Sequence, residues 1–110
     1  METPLYDTNV LIEHMRNGET SLDGFTTILN LIEFPKAVTL KGLDILIPGK
    51  DDYDRGFEMS ILLLKAGTPI PAIDIVLAAI AANRGLVLHT KDQHFEHVRK
   101  IDGEFQVFIE

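Results

Sequence analysis

Four acids in this chain sit where charge is least expected. Asp7 closes an apolar start and opens another apolar run in "LYDTNVLI", and Glu33 interrupts "ILNLIEF". Asp74 is the only polar residue between Ala72 and Ala82, in "AIDIVLAAIAA", and Asp92 follows "LVLH" in "LVLHTKD". Singly, each has a structural reading. Asp7 and Asp92 can cap the helices that follow them, and Glu33 can reach solvent from a helix edge. Asp74 can interact with the positive end of its helix, a stabilisation of about 0.3–1 kcal/mol. Asp74 is nonetheless the most informative, because a charge entering a buried helix is costly unless something pairs with it. If the four converge, their repulsion raises some of their pKa values unless a cation intervenes. Oxygen ligands without cysteine favour a hard ion, Mg²⁺ or Mn²⁺. Such an ion polarises a phosphate and lowers the pKa of an attacking water, and a second can stabilise the leaving oxygen.

The elements that must position these acids follow from the apolar pattern. "PLYD" (4–7) reads as a first strand, followed by a helix over 9–17 that stops at Gly18. "GFTT" (24–27) reads as a short second strand leading into a helix over 28–34, which Pro35 ends or kinks. "LDILIP" (43–48) is a third strand closed by the turn "PGKDD". Residues 52–66 carry apolar positions at helical spacing and finish at Gly67, and "GTPIP" is a rigid connector. Residues 72–83 form a helix that is apolar almost all round and therefore buried. "LVLH" (86–89) and "FQVFI" (105–109) are the fourth and fifth strands, with a helix over 93–100 between them. This alternation predicts a parallel sheet covered on both faces. Asp7 and Asp92 then share the edge formed by the strands' carboxyl ends, where sites of open parallel sheets form.

Bulk composition narrows the classes. A chain of 110 residues, 45% hydrophobic and 25% charged, suits one globular domain over 1–110. No apolar run approaches the roughly 18 residues that span a bilayer. "METPLYD" lacks the features of a secretory signal, so a cytoplasmic location and no membrane association are expected. The absence of cysteine removes disulfides, thiol catalysis and zinc–thiolate sites. A net charge of −7 argues against simple electrostatic binding of nucleic acid. Bound cations at four of the seventeen acids would reduce that objection.

Other motifs carry less. "KDDYDRG" misses the alternating ligand positions of a calcium loop. His94 and His97 lack a third nitrogen or sulfur ligand nearby and read as surface or packing residues. His14 and His89 read as structural. Lys36 and Lys91, close to Glu33 and Asp92, are either solvated or in contact with substrate phosphates. The apolar face of "FEMSILLL" is core, with a surplus that suits a dimer seam. The "DTN" start is also similar to that of phosphatases with an Asp nucleophile, but the acid those carry two residues later is Asn9 here.

"YDTNVLI", "TILNLIEF", "GTPIPAIDIVLAAIAANRGLVLHTKDQHF" and the final short strand together resemble the PIN-domain ribonucleases, most closely the VapC-type toxins of prokaryotic toxin–antitoxin pairs. The resemblance covers nearly the whole chain. It implies a three-layer α/β/α fold with a mostly parallel sheet of about five strands. It implies an endoribonuclease that hydrolyses RNA phosphodiester bonds with Mg²⁺ or Mn²⁺ held by Asp7, Glu33, Asp74 and Asp92. Asn9 and Thr90 match supporting polar positions. A small antitoxin partner and a homodimer are further implications, and the rival expectation is an inactive PIN-like scaffold that binds RNA or protein. Two departures stand out. Many members carry a further acid where this chain has His94, and the interval from Glu33 to Asp74 is short for the toxin group.

Overall fold

The computed structural model describes residues 2–110. Five strands, β1 (Pro4–Tyr6), β2 (Ser21–Thr27), β3 (Lys41–Leu46), β4 (Val87–Thr90) and β5 (Gln106–Ile109), form one sheet in the order β3-β2-β1-β4-β5. Every pairing is parallel. The helices are α1 (Thr8–Arg16), α2 (Ile28–Glu33), α3 (Lys50–Lys65), α4 (Ala72–Arg84) and α5 (Phe95–Ile101). The chain builds outward from β1 to β3, then returns to place β4 on the opposite side of β1. A crevice therefore opens at the carboxyl ends of β1 and β4, where the direction of winding changes.

Alternation along β1 divides the interior in two, because successive strand side chains point to opposite faces. Leu5 packs with Met59, Leu63, Leu77, Ile80, Leu88 and Phe95, a core shared with α3, α4 and α5. Tyr6 packs on the other face with Val10, Leu11, Ala37 and Leu40, under α1 and the segment after α2. The three layers and the parallel sheet are those expected from the sequence. Burial of Leu77 through Ala82 explains why α4 is apolar on nearly all sides. It ends at Gly85, whose φ of 64° is the left-handed conformation that terminates helices.

The boundaries differ from the sequence reading for local reasons. β2 starts at Ser21, three residues before the expected Gly24, and its register with β3 shifts between Ser21 and Gly24. Gly24 has a φ of +142°, and a Cβ there would lie 2.8 Å from Tyr6 Cε2 and 2.9 Å from Pro4 Cγ. Glycine here marks an irregularity inside a strand rather than its beginning. β3 ends at Leu46, before Ile47 and Pro48, since Pro48 has no N–H for the ladder. After Pro35 the chain makes a 3-10 turn over Pro35–Thr39, which buries Ala37.

Candidate metal centre

Asp7 directly follows β1 and caps α1, its Oδ1 accepting from the Thr8 amide at 2.8 Å. The capping role and a place in a site are thus compatible. The same carboxylate is held from two other elements. Thr90, buried at the end of β4, donates from Oγ1 to Asp7 Oδ2 at 2.8 Å. Asn30, buried in the first turn of α2, donates from Nδ2 to Asp7 Oδ1 at 3.3 Å and to Thr8 Oγ1 at 3.0 Å. Thr8 passes the connection on, donating from Oγ1 to Glu33 Oε1 at 3.1 Å. Asp7 and Glu33 are therefore linked through the Asn30 amide and the Thr8 hydroxyl.

Asp92 enters from β4. Its amide donates to Thr90 Oγ1 at 3.0 Å, so one hydroxyl orients both Asp7 and the segment carrying Asp92. Asp74 lies in the first turn of α4, just after Pro71. Burial pushes the Asp74 carboxyl above its ordinary pKa, against the opposing effect of His94, and the charges of Asp7, Asp92 and Glu33 push it the same way as burial. The fold thus brings the fields of all four acids together at Asp74. This is the electrostatic frustration that a divalent cation relieves.

Of the two supporting positions expected from the sequence, Thr90 hydrogen-bonds Asp7, whereas Asn9 is exposed on α1 and the further hydrogen bonds to the acids come from Thr8 and Asn30. In the sequence Asn30 is only a polar residue within "ILNLIEF"; its burial in the capping turn of α2 is what points it at Asp7. His94, read from sequence as a surface or packing residue, is half-buried among the acids. Its Nε2 lies 3.0 Å from Asp74 Oδ2 and its Nδ1 3.2 Å from Asp92 Oδ1. Asp74, Asp92 and His94 each offer one ligand atom within 4.8 Å of the others. Two aspartate oxygens with an imidazole nitrogen are a donor set that fits a divalent metal ion. The solvent-shielded Nε2, which has no hydrogen-bond partner, fits the same reading.

The surroundings supply cations unevenly. Lys91 is tied to Glu13 across the gap between β4 and α1. Beyond Glu33, a groove of about 380 Å³ is lined by Ile12, Met15, Arg16, Phe34 and Lys36 and contains no acid. A larger groove of about 580 Å³ shares no residue with the acids. There Arg55 is engaged by Asp102 at 2.9 and 2.8 Å, by Asn83 at 3.0 Å and by Glu104 at 3.2 Å, which leaves its guanidinium little to offer a ligand.

No protein-family model matches the chain, and no curated protein matches it. Solved structures do. A chain of the DNA-bound VapBC of Salmonella typhimurium superposes with a TM-score of 0.79 at 18% identity, covering 99% of this chain and 98% of that one. A chain of VapBC-5 from Mycobacterium tuberculosis, a member of the VapBC family of toxin–antitoxin systems, gives 0.73 at 21% identity, with 99% and 98% covered. A chain of FitAcB from Neisseria gonorrhoeae gives 0.70 at 17% identity, with 96% of each covered. The likeness runs end to end and establishes the fold as the PIN-like three-layer one.

Proposed function

We propose that this protein is a Mg²⁺- or Mn²⁺-dependent endoribonuclease and the toxin of a type II toxin–antitoxin pair. The observation that carries this reading is the cluster of Asp74, Asp92 and His94, whose ligand atoms lie within 4.8 Å of one another, beside an Asp7 carboxylate held by Thr90 at the end of β4. When bound, a divalent ion supplies the charge that offsets a phosphodiester and the acidity that makes water a nucleophile at neutral pH. Asp7, Asp74 and Asp92 hold the ion, and Glu33 completes the set or orients water. Glu33 is the most exposed of the four. Its Oε1 is engaged by Thr8, and Oε2 is left to accept a proton from the attacking water. Thr90 and Asn30 fix the Asp7 carboxylate so that it does not reorient during the reaction.

The flanking groove gives the RNA a path. Arg16 and Lys36 form no ion pair among the described residues, in contrast to Lys50, Arg55, Arg84, Lys91 and Arg99. Two uncompensated cations beside a half-buried Phe34 suit a single strand, with phosphates on the charges and a base against the ring. The VapBC likeness supports a small antitoxin partner, whose arginine would satisfy the acidic site. An apolar stripe on the outer face of α3, Tyr53, Phe57, Ile61 and Leu64, suits pairing of two copies.

The test is RNA cleavage by the purified chain with Mg²⁺ or Mn²⁺, with EDTA, and for Asp7→Asn and Asp74→Asn. Cleavage that needs the ion and disappears in both variants is expected. Cleavage unchanged in both variants would mark a contaminating nuclease and favour the scaffold reading. Induced expression should arrest growth, and Asp7→Asn should relieve the arrest.

A further inference from the structure

His94 is positioned by its own backbone. Its amide donates to Asp92 Oδ1 at 3.2 Å, closing a tight turn before α5. Phe95 supports the ring edge-to-face, with centroids 4.8 Å apart. The turn brings Nε2 to 3.0 Å from Asp74 Oδ2, yet the two are not aligned as a hydrogen bond, and Nε2 is shielded from solvent. A shielded imidazole nitrogen whose carboxylate neighbour is misaligned is poorly satisfied in the metal-free protein. Around a metal, the same spacing is expected. Two ligands at right angles, each on a bond of about 2.1 Å, stand about 3.0 Å apart.

We propose that His94 Nε2 is a direct metal ligand beside Asp74 and Asp92, and that it shifts the site from Mg²⁺ toward first-row transition ions. This rests on the metal-dependent reading above and specifies it for this chain. Mg²⁺ favours oxygen ligands and gives up its waters reluctantly. An imidazole nitrogen favours ions further along the Irving–Williams order. Replacing a carboxylate by imidazole also lowers the site's negative charge, which weakens its hold on a hard ion more than on a borderline one. The residue that departs from the family's acidic pattern thereby sets the choice of metal.

The experiment uses the full chain stripped with EDTA, with Mn²⁺ as the probe and Mg²⁺ as competitor. Mn²⁺ affinity is read from the free-ion electron paramagnetic resonance signal, and electron spin-echo modulation reports nitrogen bound to Mn²⁺. The wild type should show nitrogen coupling that His94→Ala and His94→Asp both lack. In His94→Asp the ratio of Mg²⁺ Kd to Mn²⁺ Kd should fall at least about ten-fold, since a carboxylate restores an oxygen-only site. Circular dichroism and urea unfolding check that both variants fold, and His94→Asp stands in for His94→Ala should the latter fail. Mn²⁺ binding without nitrogen coupling, at a ratio unchanged in His94→Asp, would overturn the assignment of His94 and leave the nuclease reading standing. A wild type that binds neither ion would overturn both.

Discussion

Thr90 and Asp7, separated by 83 positions in the chain, share a hydrogen bond of 2.8 Å from Thr90 Oγ1 to Asp7 Oδ2. The same threonine oxygen accepts from the Asp92 amide at 3.0 Å. One buried hydroxyl therefore sets two of the four acids. Thr90→Val, nearly equal in volume, removes both bonds and leaves Asp7 held through Oδ1 alone, by the Thr8 amide and Asn30. Mn²⁺ affinity and RNA cleavage should each fall about 10–100-fold, the usual range when a supporting hydrogen bond at a metal site is removed. Thr90→Ser should keep most of both.

Divalent ions should stabilise the fold against heat. At a hundred-fold excess over Kd the gain is about 2.7 kcal/mol, which a melting curve resolves easily in a chain of this size. Asp74→Asn should abolish the metal-dependent rise while increasing the melting temperature of the metal-free protein. The sign follows from Asp74, whose carboxyl burial holds above its ordinary pKa. Folded protein then binds this proton more tightly than unfolded chain, so the group favours the fold at low pH and opposes it once pH has risen through the folded pKa. At neutral pH an amide removes that opposition.

Neutralising the groove cations should weaken substrate binding more than chemistry. Arg16→Gln with Lys36→Gln should raise KM for single-stranded RNA and leave kcat within a few-fold. Each cation–phosphate interaction removed should flatten the slope of log K against log salt by about 0.7. An unchanged salt slope would remove the groove from the substrate's path. A variant that cleaves RNA normally but escapes inhibition by the antitoxin would assign the groove to the protein partner.

A buried carboxylate away from these acids predicts acid stability rather than activity. Asp52 is buried and accepts from Arg84 Nη1 and Nη2 at 2.8 and 3.0 Å, from Asn83 at 3.0 Å and from the Gly49 amide at 2.8 Å. Burial would raise its pKa, but the bonds from Arg84, Gly49 and Asn83 win and hold it below its ordinary value. Its contribution to stability is complete above the unfolded pKa near about 4 and is lost as pH falls through the folded value. Arg84→Met leaves a buried charge without its main partner and should cost about 3–5 kcal/mol at pH 7. The Gly49 and Asn83 bonds remain, so the loss of stability on acidification at this site should become shallower. Urea unfolding from pH 3 to 7 distinguishes the two slopes.

The sequence by itself determined the layers. Apolar spacing, the brief connections and Gly18 and Gly67 were enough to place strands and helices in order, and the alternation of Leu5 and Tyr6 between two cores follows from strand geometry alone. Asp74 was conspicuous because charge inside an apolar helix has few explanations. Only the tertiary structure decided which neighbours share the crevice. Asn30 and Asn9 are the same residue type in comparable helical stretches, yet Asn30 is buried against Asp7 while Asn9 faces solvent. His94 looked like a surface histidine because its partners come from different elements, and Asp74 lies twenty positions away. Spacing along a chain reports what a single helix or strand brings together. Contacts made where three or four elements meet depend on how those elements pack, and that is fixed only once the whole core has closed.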